Sequence, residues 1–96
     1  MDSIQNMCQE IAVKKGYPVQ SFQLMEECAE LIQAVNKYRR YGNDEAFKAY
    51  IEEIADVEIM LEQIKYLLNI KPEDIEGVKL YKLKRTIGSM ENKFAG

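Results

Sequence analysis

From Ile4 onward the chain sets apolar residues three and four positions apart, the spacing that gathers them on one side of an α-helix. Ile4, Met7, Cys8, Ile11 and Ala12 predict a first helix over about residues 2–15. Phe22, Leu24, Met25, Cys28, Leu31, Ile32, Val35 and Tyr38 predict a second over about 19–41. Phe47, Tyr50, Ile51, Ile54, Val57, Met60, Leu61, Ile64 and Leu68 predict a third over about 45–68. Breaks fall at Gly16-Tyr17-Pro18, Tyr41-Gly42-Asn43-Asp44 and Asn69-Ile70-Lys71-Pro72. Gly42 is placed to end the second helix and Asp44 to cap the third. Pro72, Glu73 and Asp74 suit the opening of a fourth, in which Gly77 leaves both a kink and a split open. No stretch alternates as a strand would. The expected fold is all-α: one domain over residues 1–96, in which an antiparallel helical hairpin is flanked by further helices.

The two central helices are apolar around more than half their circumference, more than one partner helix covers. With 96 residues the chain also buries a comparatively small share of its surface, so a helical-bundle dimer or tetramer is expected. A net charge of −3 argues against a nucleic-acid polymer as partner. No apolar run reaches the roughly 20 residues a spanning helix needs, so no membrane is expected either. The polar start "MDSIQNMCQEIAVKKG" lacks the apolar core of a signal peptide, which points to the cytoplasm. Cys8 and Cys28 then read as reduced, buried small hydrophobes.

Acidic residues interrupt the most apolar segments, in "FQLMEECAELIQAV" and "YIEEIADVEIML". Glu27 and Glu30 are three apart, as are Glu53 and Asp56, which places each pair on one helix face. About twelve residues separate Glu30 from the turn and about ten separate the turn from Glu53, so the hairpin brings both pairs to about one height. Between Ile51 and Gln63 stand five acids and no Lys or Arg, which makes a bound cation a better neutraliser than internal ion pairs. Carboxylate oxygens suit a hard ion such as Mg²⁺; with no histidine and two distant cysteines, softer metals do not fit. Taken alone, either pair also reads as a solvated helix face.

These residues resemble the all-α nucleoside triphosphate pyrophosphohydrolases, most closely the small MazG-like proteins. In that likeness "QSFQLMEECAELIQAV" is similar to the first metal-binding helix and "EEIADVEIMLEQI" to the second, while "YKLKRT" at 81–86 resembles a basic segment that follows. The resemblance spans most of residues 18–86. It implies a Mg²⁺-dependent enzyme (Mn²⁺ a possible substitute) that cleaves a nucleoside triphosphate to the monophosphate and pyrophosphate. Glu27, Glu30, Glu53 and Asp56 match the family's metal ligands, and Glu26 an acid that orients or deprotonates the attacking water. Gln20 matches a glutamine before the acidic motif; Gln23 stands where many relatives have Lys. Homo-oligomers with sites near subunit interfaces are implied too.

A triphosphate carries about four negative charges, so it also needs cationic groups beyond the metal. Lys79, Lys82, Lys84, Arg85 and Lys93 stand against a single acid, Glu91, between residues 78 and 96, with Lys82 and Arg85 the candidates for phosphate; a solvated face is the plainer alternative. Lys37, Arg39 and Arg40 read as helix-end stabilisation. Tyr17, Phe22, Tyr38 and Tyr81 are candidates to stack on a base, but aromatics at helical spacing are more often core. Two rival readings are a di-iron or di-manganese helical protein, disfavoured by the missing histidine, and a non-catalytic helical regulatory or interaction protein.

Overall fold

The computed structural model describes residues 3–95, with side chains described as far as Glu91, so the Lys93 side chain and both ends of the expected domain lie outside the described residues. Four helices follow one another: α1 (Ile4–Lys15), α2 (Tyr17–Tyr41), α3 (Asp44–Leu67) and α4 (Pro72–Ala95). Among the described residues there is no strand. No helix among them is long and apolar enough to cross a membrane.

The caps explain the boundaries. Ser3 opens α1 by accepting the Asn6 N–H at 3.0 Å. Gly16, at a φ of 83°, ends α1 and at once begins α2, whose first turn takes Pro18. The second helix therefore starts at Tyr17, two residues before the expected position, because a proline in a first turn has no N–H to waste. Gly42 closes α2 in the left-handed region (φ 58°), its N–H bonded to the Tyr38 carbonyl at 2.8 Å. The cap of α3 is Asn43 rather than the expected Asp44: Asn43 Oδ1 accepts the Ala46 N–H at 2.8 Å, and Asp44 is already helical.

At the far end of α3, Ile70 N–H bonds to Lys65 O and Asn69 N–H to Tyr66 O, with Asn69 left-handed at φ 56°. That pair of bonds is a Schellman ending with asparagine where glycine is commoner. Asp74 then accepts the Lys71 N–H at 3.1 Å, half of a capping box, and Pro72 begins α4. Gly77 does not split that helix, which runs unbroken.

The body is made by α1, α2 and α3. The main packing is α2 on α3, with α1 laid chiefly against α3. Small residues let the backbones approach: Cys8 and Ala12 on α1, Ala34 on α2 and Ala46 on α3 are buried, with Met60 the one large apolar side chain among them. Cys28 is half-buried, less enclosed than expected. Near the turn, Tyr38 packs on Phe47 and Tyr50, with ring centroids 5.6 and 5.8 Å apart. Phe22 and Tyr81, each 66% exposed, are not core. Helix α4 packs on none of the other three. The radius of gyration is accordingly 17.2 Å, against about 12.5 Å for a compact chain of this length.

Candidate metal centre

The register of the hairpin is set by side chains that face each other across it. Gln20 on α2 donates from Nε2 to Gln63 Oε1 on α3, both amides fully buried. Seven residues forward on α2 stands Glu27, and seven back on α3 stands Asp56; these two are within hydrogen-bonding reach of each other. Three more steps bring Glu30 opposite Glu53, again within reach. Equal steps in opposite directions along antiparallel helices keep one height, so the acidic pairs meet as their spacing predicts.

One oxygen from each of Glu27, Glu30 and Glu53 lies within 4.8 Å of the other two. Asp56 completes the group electrostatically, acting on both Glu27 and Glu53. Glu27 and Glu53 are half-buried, Glu30 exposed, and Asp56 half-buried. Gln23, one turn before Glu27, donates from Nε2 to Glu27 Oε1 at 2.8 Å and so fixes that carboxylate's orientation. The other oxygen of Glu27 and Oε2 of Glu53 are enclosed without a hydrogen-bond partner. Buried polar atoms are seldom left so.

Both carboxyls titrate above their ordinary range. For Glu53 the cause is first desolvation and then the charges of Glu30, Asp56 and Glu27. For Glu27 desolvation leads, the Gln23 bond opposes it, and the charges of Asp56 and Glu30 add to it. The donor set is oxygen throughout, two of its atoms lack partners, and its negative charge resists ionisation; each feature fits a hard divalent cation.

Glu26, next in sequence to Glu27, is exposed. Two sequence expectations are corrected. Gln20 is tied to Gln63 in the core at 2% exposure and is not presented to a nucleotide. Lys82 and Arg85 sit exposed on α4, which packs on no other helix, so one chain does not bring them to the carboxylates. The basic residues at the end of α2, Arg39 and Arg40, do occupy its last turn, with Arg40 over the Tyr41 ring at 5.8 Å. The sequence reading noted Gln23 only as standing where relatives have Lys, and it gave Gln63 no role. Their signal was spacing: Gln23 is four before Glu27, and Gln63 follows Asp56 by the interval that separates Gln20 from Glu27. No family model, curated protein or solved structure matches the chain.

Proposed function

We propose that the protein is a Mg²⁺-dependent nucleoside triphosphate pyrophosphohydrolase, releasing nucleoside monophosphate and pyrophosphate in the cytoplasm as a homo-oligomer. The observation that carries this reading is the convergence of Glu27, Glu30 and Glu53, one oxygen of each within 4.8 Å of the others, with Asp56 beside them and with partnerless buried oxygens on Glu27 and Glu53. In this reading Glu27, Glu30, Glu53 and Asp56 hold the cation. When bound, Mg²⁺ (or Mn²⁺) neutralises phosphate charge and acidifies a water.

The chain's own residues do the rest. Gln23 keeps Glu27 aimed through the bond to Oε1. Glu26, exposed and adjacent, takes the proton of the water as its oxygen bonds to phosphorus and the bridge between the α- and β-phosphates breaks. Lys82 and Arg85, the sequence candidates for gripping phosphate, stand apart from the carboxylates on α4 and take no part in this reading.

The test is a panel of ribo- and deoxyribonucleoside triphosphates with Mg²⁺, scored for monophosphate and pyrophosphate. Turnover by the wild type, abolished in Glu53→Gln and Asp56→Asn with helical content unchanged, is expected. No turnover and no Mg²⁺ or Mn²⁺ binding leaves the chain a helical interaction protein, a role its exposed apolar faces also suit.

A further inference from the structure

Helix α4 is 24 residues long and, among the described residues, packs on none of the other three helices. Most helical stability in proteins comes from packing an amphipathic face, so α4 standing alone lacks its main support. The sequence says which face packs. Leu80, Leu83, Ile87 and Met90 follow one another at steps of three, four and three, which aligns them as a seam. All four are more than half exposed. At 3.6 residues per turn, Lys79 and Lys84 flank this seam, whereas Lys82 and Arg85 fall on the opposite side of the helix.

The body offers a matching recess. A groove of about 940 Å³ runs between α1 and α3, on the side of α3 turned away from the carboxylates. Its apolar walls come from Ile4, Met7 and Ile11 on one side and Ala55 and Ile59 on the other. Glu58 and Glu62 stand along its α3 side, and Lys79 of the chain's own α4 touches its edge. Three helices thus border a space of the kind a fourth fills in a helical bundle.

The exposed area is large enough for an interface with another chain. The protein exposes 7991 Å², whereas a folded chain of 11.2 kDa exposes about 5,700 Å². The surplus, about 2,300 Å² per chain, exceeds the roughly 800 Å² each partner buries in a standard interface and suits an obligate one. Charge agrees: Lys79 and Lys84 flank the seam, with no acid between Val78 and Met90, and the α3 side of the groove carries Glu58 and Glu62.

We propose that two copies of this chain exchange α4 reciprocally, each laying its Leu80-Leu83-Ile87-Met90 seam in the α1–α3 groove of the other. The exchange is symmetric, so both grooves and both arms are satisfied in a closed pair. It leaves Lys82 and Arg85 on the outer side of the docked helix, and it stands independently of the pyrophosphohydrolase reading.

The experiment uses the full chain with benzoylphenylalanine in place of Leu83, mixed from isotopically heavy and light preparations and irradiated. Heavy–light cross-links from position 83 to α1 or α3 are expected. Cross-links to α2, to α4 or only within one chain overturn the proposal, as does the absence of any heavy–light product. Light scattering should give twice the 11.2 kDa chain mass for the wild type and a single chain for Leu83→Asp/Ile87→Asp. Circular dichroism should show that this variant keeps the helices of α1–α3. A variant that stays dimeric, or a monomeric wild type, also overturns it.

Discussion

Gln20 and Gln63 are hydrogen-bonded to each other across the hairpin, at 2% exposure each, in a layer where apolar side chains would otherwise meet. Gln20 Oε1 has no partner even so. Removing one amide leaves the other buried and unsatisfied, whereas removing both leaves an apolar layer. Gln63→Leu should therefore cost roughly 1–3 kcal/mol, and Gln20→Leu/Gln63→Leu much less than two such losses. Urea unfolding of the two single variants and the double variant measures this; equal, additive losses would refute it.

The acidic cluster works against stability at neutral pH. Glu53 and Glu27 hold their protons to higher pH in the fold than in the unfolded chain, where a carboxyl titrates near 4.5. The protonated forms favour the fold, so this contribution is complete below that value and is lost as pH rises through the elevated folded values. Without divalent ions, the melting temperature should fall as pH is raised from about 4.5 toward neutrality. Glu53→Gln should flatten that fall and melt higher than wild type at neutral pH. Calorimetry in chelator across the pH range decides it, and a variant that melts lower than wild type at neutral pH sinks the idea.

Most of the hairpin was legible because its signals are local. Three-and-four spacing, Gly42 and Pro72 fix helices and turns within a residue or two, and equal spacing on either side of the turn is enough to align Glu27 and Glu30 with Glu53 and Asp56. Asn43 outranked Asp44 as cap because either side chain can accept the N–H, and only the backbone decides which residue stays extended. What the pattern could not convey is where α4 goes. Its apolar seam reads the same whether it folds onto its own body or onto another, and the short Schellman ending at Asn69 turns it away. For that reason Lys82 and Arg85, grouped with the acids in sequence, stand apart from them in the chain.

Two turns carry left-handed residues, and they should respond in opposite directions. At Gly42 an added Cβ meets nothing closer than the Tyr38 carbonyl at 3.9 Å, so Gly42→Ala suffers from conformation rather than from a clash. The cost should be roughly 1–2 kcal/mol. Asn69 occupies the same region at φ 56° with a side chain present, and Asn69→Gly should gain up to about 1 kcal/mol. For a domain of this size each kcal/mol is about 4–8 °C of melting temperature. Thermal scans in chelator read both shifts, and the same sign for both would contradict the backbone argument.

Cation binding should appear as stabilisation before any substrate is found. A ligand that binds only the folded chain adds about 2.7 kcal/mol at a hundred times its dissociation constant. Mg²⁺ and Mn²⁺ should therefore raise the melting temperature at neutral pH, most where the carboxyls of Glu27 and Glu53 are forced to ionise. Glu27→Gln, Glu30→Gln, Glu53→Gln and Asp56→Asn should each remove most of that rise, because each deletes an oxygen charge from the same cluster. Gln23→Ala should weaken it less, since it frees Glu27 to turn but keeps the carboxylate. Lys82→Ala/Arg85→Ala should leave it intact, because α4 packs on no part of the body that carries the acids. Thermal shift against Mg²⁺ concentration separates these outcomes: a wild type indifferent to both ions, or a rise that survives all four acidic substitutions, would remove the metal centre from the protein.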